Sequence, residues 1–250
     1  MKKSYIQNKR SSLNLNFELI RKRIGMDRKD RIRIAYRLTG SNSFYDGMIT
    51  CATFLGRMVC RLVWDMGAED CAEYQARALS GIPEGFTGRL LEVPVGTGVL
   101  TVPFYQAMPD AEIVCLDYSP DMMAQAQEKA EKMELENIAF HQGDVGALLF
   151  EDESFDIVLS LNGFHAFPDK EAAYRETFRV LKSGGTFCGC FYVAGSCKRT
   201  DRIIRYVYQP MKFFAPPYET MDSLGERLNR MYEHVELSNV KGIACFICRK

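Results

Sequence analysis

The sequence lacks any long apolar run. No stretch approaches the roughly 18 residues of a membrane-spanning helix, and the first residues hold no apolar segment of the kind found in signal peptides. Internal repeats and low-complexity tracts are also missing. We therefore expect a cytoplasmic globular protein rather than a membrane, fibrous or repeat protein.

The sequence as a whole has no net charge, since 32 basic residues balance 32 acidic ones. The balance hides a segregation, because residues 1–40 hold 12 Lys and Arg against three acids. A basic arm in front of an acidic body can dock on an anionic partner or simply remain solvated. We expect a basic N-terminal extension over residues 1–43 and a folded domain over residues 44–250.

The nine cysteines show no pattern of metal ligation. They are odd in number and lie in apolar stretches, as small buried side chains do in a reducing compartment. Cys245 and Cys248 have Cys-x-x-Cys spacing, but no second Cys or His pair with zinc spacing accompanies them. Their side chains would point to opposite faces of a strand. We expect no metal site.

From residue 88 onward, strand patterns alternate with helix patterns, which predicts βαβ units and a parallel sheet. Strand patterns occur at residues 88–93, 112–117, 138–142, 155–161, 186–193, 235–240 and 243–249. The third and fourth are apolar enough to be buried. The last two flank a Lys241-Gly242 turn and are expected to form an antiparallel pair.

Helix patterns lie between and before the strands, at residues 15–38, 44–80, 98–108, 119–133, 169–181, 203–208 and 221–232. Ser119 and Asp169 stand at two of the starts and are predicted N-caps. Pro120 follows the first cap, in a position that favours a first helical turn. Residues 183–185, Ser-Gly-Gly, are predicted to end the helix that Asp169 begins.

Residues 90–100 form the most informative segment, Leu-Leu-Glu-Val-Pro-Val-Gly-Thr-Gly-Val-Leu, a strand that runs directly into a turn and a helix. Gly96 and Gly98 would let the backbone turn tightly and approach a ligand closely. Asp117 follows 19 residues after Gly98 at the end of the next strand, where a carboxylate can accept both hydroxyls of a ribose. The pattern indicates a site for a ribose-containing ligand.

The third glycine of a dinucleotide-binding motif is missing, because Thr101 stands in its place. A dinucleotide site usually needs that glycine for close packing of the helix under the pyrophosphate. No Gly-Lys-Ser/Thr phosphate loop follows either. A ribose-bearing ligand without phosphate fits better, which argues against a nicotinamide-dependent oxidoreductase.

Residues 88–192 resemble the class I S-adenosylmethionine-dependent methyltransferases. The matching segments are the glycine motif at 92–98, the ribose-binding acid Asp117, the adenine loop at 143–145, the fourth strand at 155–161 and the helix end at 179–185. The resemblance implies a Rossmann-like, doubly wound α/β fold. Its seven-stranded sheet would be mostly parallel with an antiparallel last strand, and helices would cover both faces.

The resemblance also implies S-adenosylmethionine as cofactor and S-adenosylhomocysteine as product. The residues expected to bind the cofactor are Glu92, Pro94, Gly96, Thr97, Gly98, Asp117, Tyr118, Met122, Asp144, Val145 and Asn162. Pro94 departs from the family, which normally has glycine there, because proline offers neither a positive φ nor a backbone N–H. This departure leaves open the alternative of a noncatalytic cofactor-binding module.

Methyl transfer from a sulfonium needs few catalytic groups, because the protein mainly aligns the reactants in a desolvated pocket. His165 follows the fourth strand pattern and is the candidate general base. The alternative is that His165 only hydrogen-bonds a loop or caps a helix. His141 and His234 are expected to be structural.

Residues 194–232 connect the fifth strand to the closing pair and are the expected lid or acceptor-binding region. The aromatic residues of this segment are Tyr206, Tyr208, Phe213, Phe214 and Tyr218. Some of them would pack structurally, and any that faced inward would favour an apolar or planar acceptor. The sequence thus predicts a methyltransferase for a small molecule. The alternative acceptor is an RNA or protein held by the basic arm.

Overall fold

The computed structural model describes Asp46 and residues 53–250. The basic extension over residues 1–43 and the helix pattern at 15–38 therefore lie outside the described residues. In the part of the chain that is described, no helix has the length and apolar character to cross a membrane.

Seven strands and seven helices are described between residues 53 and 250. The strands are β1 (Arg89–Glu92), β2 (Glu112–Asp117), β3 (Ile138–Gln142), β4 (Phe155–Leu161), β5 (Leu181–Tyr192), β6 (His234–Val240) and β7 (Ile243–Arg249). The helices are α1 (Phe54–Val59), α2 (Ala68–Leu79), α3 (Thr101–Tyr105), α4 (Pro120–Lys132), α5 (Lys170–Val180), α6 (Lys198–Ile203) and α7 (Met221–Met231). Two π-helical turns, Cys60–Trp64 and Ile204–Tyr208, continue α1 and α6.

The strands form a single sheet in the order β3-β2-β1-β4-β5-β7-β6. The first five strands in the chain pair in parallel, and β7 is antiparallel to both of its neighbours. The predicted Rossmann-like fold is confirmed. Because the strand order reverses between β1 and β4, the chain leaves these strands in opposite directions and opens a crevice at their carboxyl ends.

Helices cover both faces of the sheet because neighbouring strand residues point to opposite sides. Leu90 is buried in a cluster with residues of α3 and α4. Leu91, the next residue, is buried in a cluster with residues of α5 and α7. Both side chains are fully buried, so the short strand β1 forms the centre of the core.

The helix starts next to the sheet are set by the predicted caps. The Ser119 hydroxyl accepts a hydrogen bond from the Met122 N–H at 3.4 Å, and the Asp169 carboxylate accepts one from the Ala172 N–H at 2.9 Å. Each cap satisfies an N–H group that the first helical turn leaves without a partner. The cap at Ser119 begins α4 two residues after β2, which fixes the position of Asp117.

Two sequence expectations about the strands are wrong. Residues 183–185 do not end the preceding helix as a turn, because β5 already begins at Leu181, which pairs with Phe155. The carboxyl terminus keeps this segment extended, since the Lys250 N–H donates to the Gly185 carbonyl oxygen at 3.0 Å. Strand β3 is not buried but partly exposed, because it lies at the edge of the sheet.

Among the described cysteines, all but Cys71 and the half-buried Cys197 are free and buried, as the sequence predicts. Cys245 and Cys248 are both free and buried, and they belong to different core clusters, as expected for opposite faces of a strand. Cys71 is disulfide-bonded, which departs from the expected reduced side chains. Its sequence context could not show this, because bonding depends on which Cβ atoms the fold brings to about 4 Å.

We predict that Gly189→Ala lowers the free energy of unfolding by about 3 kcal/mol or more. A Cβ atom at Gly189 would lie 2.0 Å from the Ser160 carbonyl oxygen, and the φ angle of Gly189 is +152°. A side chain would therefore force β4 and β5 apart in the middle of the sheet. Urea unfolding measures the effect.

The matched control is Gly225→Ala in α7. A Cβ atom there would meet Leu237 Cδ2 at an ordinary 3.5 Å, and alanine has the higher helix propensity by about 1 kcal/mol. Gly225→Ala should therefore leave the stability unchanged or raise it. Equal losses in the two variants would show that the close approach of β4 and β5 does not determine the stability at residue 189.

Candidate active site

A cavity opens at the carboxyl ends of β1, β2 and β4. It is lined by residues of the turn after β1, the end of β2 with the start of α4, the loop after β3 and the loop after β4. Every residue that the sequence analysis assigns to cofactor binding lines this cavity. His165 is not among the lining residues.

The turn after β1 depends on two glycines with left-handed backbone angles, φ +58° at Gly96 and +65° at Gly98. A Cβ atom at Gly98 would lie 2.5 Å from Val102 Cγ2 and 3.0 Å from Ala126 Cβ. Gly98 therefore permits α3 and α4 to pack together. At Gly96 the nearest atom to an added Cβ is Met122 Cε at 3.9 Å, so Gly96 leaves open space in the cavity.

The carboxylate of Asp117 connects the turn after β1 to the start of α4. Its Oδ2 atom accepts a hydrogen bond from the Gly96 N–H at 2.8 Å, and its Oδ1 atom accepts one from the Ser119 N–H at 2.8 Å. Burial raises the pKa of Asp117 to about 6, although these backbone hydrogen bonds lower it. Each carboxylate oxygen has a further lone pair, so the group can also accept the hydroxyls of a ribose.

Glu92 ends β1 beneath the glycine turn and is 1% exposed. Its Oε2 atom accepts the Tyr105 hydroxyl at 2.8 Å and the Cys115 thiol at 3.6 Å. Burial raises the pKa of Glu92 to about 8. The Glu92 side chain is therefore mostly protonated at neutral pH.

The loop after β3 brings Asp144 and Val145 to the same cavity. The Gly143 N–H donates to the Asp117 carbonyl oxygen at 3.0 Å, which attaches this loop to the end of β2. Asp144 Oδ1 accepts the Gly146 N–H at 3.0 Å, and the Val145 side chain is buried. A carboxylate and an apolar side chain thus lie beside each other, as recognition of a purine amine and ring requires.

Pro94 packs against the loop after β4. A Cβ atom at Gly163 would lie 2.4 Å from Pro94 Cδ and 2.6 Å from Phe167 Cζ, so the proline ring occupies space next to a residue without a side chain. Asn162 precedes Gly163 with a φ of +55°. Pro94 and this loop therefore form one continuous wall of the cavity.

The surroundings of His165 favour the structural alternative over a general base. Its Nδ1 atom accepts the Tyr192 N–H at 3.3 Å, and its ring stacks on Phe214 with centroids 4.1 Å apart. Burial, together with the nearby charge of Lys170, lowers the pKa of His165 to about 3. With Nδ1 accepting, the neutral ring carries its proton on Nε2 and has no lone pair there for a substrate proton.

The aromatic residues of segment 194–232 do not line the cavity. Phe213 and Phe214 are buried in a cluster that also packs against Trp64 and Tyr218, whereas Tyr206 is exposed. The apolar wall comes from the loop after β4 instead. Its lining residues are Leu161, Gly163, Ala166, Phe167 and Pro168.

The structure also places at the site a residue that the sequence analysis missed. Asp46 accepts a hydrogen bond from the Thr97 hydroxyl at 2.6 Å and forms an ion pair with Lys129 at 3.0 Å. Asp46 thereby connects the glycine turn to α4. No sequence motif marks Asp46. Tyr105, whose hydroxyl donates to the buried Glu92, could have been identified from the sequence, because it lies four residues after Thr101 on the same face of α3.

The strand order and the position of the cavity define a Rossmann-like nucleoside-binding fold. A family model described as "Methyltransferase domain" matches residues 90–185. The demethylmenaquinone methyltransferase of Staphylococcus aureus is 39% identical over an alignment of 176 positions that covers 61% of this chain and 69% of the relative. The chain belongs to the class I S-adenosylmethionine-dependent methyltransferases.

Other relatives match over less of their length. The demethylmenaquinone methyltransferase of Thermus thermophilus is 39% identical over 112 residues, 45% of this chain and 50% of the relative. The chain spans half or less of the curated relatives that match it first. An N-methyltransferase of Haemonchus contortus, solved with phosphomonomethylethanolamine and S-adenosylhomocysteine, shares the fold with a TM-score of 0.61 and 18% identity, covering 83% of this chain and 46% of that one.

We predict that Glu92 makes the stability of the cofactor-free protein depend on pH. Its pKa is raised from 4.5 to about 8 on folding, so between these values the folded state holds a proton that the unfolded state has lost. The contribution of Glu92 to the free energy of unfolding is therefore greatest at low pH and falls as the pH rises toward 8. Glu92→Gln, which removes the titrating group, should flatten this decline.

Urea unfolding of both proteins across this pH range measures the difference. The matched control is Glu112→Gln, because Glu112 is exposed at the opposite end of the neighbouring strand β2. The control should keep the slope of the parent protein. If the free energy of unfolding fell equally with pH in the parent and in Glu92→Gln, the pKa of Glu92 would be the same in the folded and unfolded states.

Proposed function

We propose that this protein transfers the methyl group of S-adenosylmethionine to a small-molecule acceptor. The observation that carries the proposal is the convergence of Asp117, Asp144 and the turn at Gly96 on one cavity that also has an apolar wall. When bound, the cofactor supplies a sulfonium-activated methyl group, so the protein needs no strong nucleophile of its own.

The binding roles follow from the acceptor and donor groups of the cavity. Asp117 would hold the ribose, since its two oxygens are already oriented by the Gly96 and Ser119 N–H groups. Asp144 would accept the adenine amine, and Val145 would pack on the ring. Gly96 and Gly98 keep side chains away from the space that the methionine end would fill.

Catalysis in this proposal rests on alignment and desolvation. Among the described residues that line the cavity, the titratable ones are Glu92, Asp117, Tyr118 and Asp144, and all four are among the residues assigned to binding the cofactor. The loop after β4 would then position the acceptor and exclude water. Holding two reactants in line can supply roughly 7–11 kcal/mol toward a displacement.

The wall made by Leu161, Ala166, Phe167 and Pro168 supports an apolar or planar acceptor. Relatives differ in the acceptor that their names state, since they include demethylmenaquinone and arsenite methyltransferases. An RNA or protein acceptor has less support, because no basic side chain lines the cavity among the described residues. Pro94 forms part of an intact wall, which favours a catalytic protein over a noncatalytic module.

We predict that Asp117→Ala weakens the binding of S-adenosylmethionine by about 1.5–3 kcal/mol, a loss of roughly 10- to 150-fold, because charge-assisted hydrogen bonds to the ribose disappear. Isothermal titration measures the affinity. Asp110→Ala is the matched control, since Asp110 is exposed before β2 while Asp117 ends it. An unchanged affinity in folded Asp117→Ala would remove the ribose assignment.

A labelled-methyl assay tests the transfer itself. We expect the protein to move label from S-adenosylmethionine into the small-molecule fraction of a cell extract, and the Asp117→Ala variant to move much less at subsaturating cofactor. The RNA and protein fractions of the same extract are assayed separately. If label enters RNA, and this labelling is lost when Lys9 and Arg10 are changed to Gln, the acceptor is RNA and the small-molecule proposal is wrong.

A further inference from the structure

Two neighbouring surface segments expose large apolar side chains to solvent. One is α1 with its π-helical turn, and the other is residues 198–212, which include α6 and its π-helical turn. The exposed residues are Phe54, Leu55, Met58, Leu62, Tyr206, Val207 and Met211. Phe54 is 78% and Tyr206 is 69% exposed, and groups of exposed apolar side chains are typical of interaction sites.

The two segments pack on each other and form one unit, here called the amphipathic surface. The Thr200 hydroxyl donates to the Val63 carbonyl oxygen at 2.9 Å, and Arg199 pairs with Asp65 at 3.3 Å. Phe54 and Met58 of α1 are four residues apart, which is the spacing of a single helical face, and Leu62 follows in the π-helical turn. Cys60 and Ile204 are buried in the same cluster on the inner side.

The charged residues around these apolar side chains are mainly cations. The exposed ones are Arg57, Arg61, Lys198, Arg199, Arg202, Arg205 and Lys212. Asp65 and Asp201 are the acids of the two segments, and each already has a partner. Asp65 pairs with Arg199, and Asp201 accepts the Tyr192 hydroxyl at 2.8 Å. The amphipathic surface therefore combines an apolar face with an excess of positive charge.

We propose that the amphipathic surface docks on an anionic lipid membrane. Short helices that expose apolar and aromatic side chains among Lys and Arg lie in the interface of a bilayer, where the apolar groups enter the acyl boundary and the cations meet phosphates. A second copy of the chain is a poorer occupant. A twofold dimer would place this cationic surface against itself.

The amphipathic surface is directly connected to the wall of the cavity. Phe214 follows the exposed residues of its segment and stacks on His165. The Ala215 N–H donates to the His165 carbonyl oxygen at 2.9 Å. His165 immediately precedes the wall residues Ala166 and Phe167. In the docked protein, one layer of side chains would therefore separate the cavity wall from the segment that contacts lipid.

Co-sedimentation of the full chain with vesicles tests the proposal without reference to methyl transfer. One set of vesicles contains phosphatidylcholine with phosphatidylserine, and the other contains phosphatidylcholine alone. We expect binding to the anionic vesicles and at least tenfold weaker binding to the neutral ones, with a decrease as salt is added. Equal binding to both sets, or binding to neither, would overturn the proposal.

Two full-length variants locate the contact. Phe54→Ser with Tyr206→Ser removes apolar contacts, and Arg205→Glu with Lys212→Glu reverses two charges. Each should reduce binding to anionic vesicles by about tenfold or more. Because all four residues are exposed, thermal unfolding and the affinity for S-adenosylmethionine should stay unchanged. The two variants are independent, so one remains informative if the other fails to fold.

Matched controls use exposed residues on other elements. Leu149→Ser changes an apolar side chain that is 96% exposed in the loop before β4, and Arg175→Glu reverses an exposed charge on α5. Both should bind vesicles as the parent does. If only the change of Lys9 and Arg10 to Gln weakens binding to anionic vesicles, the membrane contact belongs to the N-terminal segment. A dimer that dissociates in Phe54→Ser with Tyr206→Ser, without vesicle binding by the parent, would assign the surface to a second copy.

Discussion

The carboxylate of Asp117 is the interaction on which the arrangement of the site depends. The carboxylate accepts hydrogen bonds from the N–H groups of Gly96 and Ser119, and so joins the turn after β1 to the start of α4. The backbone carbonyl oxygen of Asp117 accepts the Gly143 N–H, which attaches the loop after β3. Three segments from different parts of the chain thus meet at one buried residue. Because two N–H groups already orient the carboxylate, the proposed binding of a ribose would need little further ordering of this group.

Local signals explain why much of the fold could be predicted from the sequence. Strands β2, β4 and β7 have the bounds that their apolar runs indicated, since these runs are buried on both faces or paired on both sides. The caps at Ser119 and Asp169 also formed as expected, because a cap involves only residues three apart in the chain. The residues that line the cavity were identifiable for a related reason. They cluster in short segments at strand ends.

Features that depend on distant contacts escaped the sequence analysis. Asp46 reaches Thr97 across 51 residues of chain, and the segment after Leu181 stays extended because the carboxyl terminus pairs with it. The exposure of β3 follows from its place at the sheet edge. Periodicity cannot show any of these, since each depends on which segments become neighbours in space. Tyr208 and Tyr218 illustrate the same point, because their spacing did not reveal that they pack against Phe214 rather than line the cavity.

Pro94 shows how a departure from a family motif can be compatible with an intact site. Glycine is common at such turns because it keeps atoms out of a crowded region. Here the proline ring fills part of that region, and Gly163 leaves the matching space empty, so a Cβ there would lie 2.4 Å from Pro94 Cδ. The small residue that the packing requires therefore stands on the loop after β4 rather than on the turn after β1. The two positions therefore form one steric unit, in which Gly163 leaves the space that the Pro94 ring occupies.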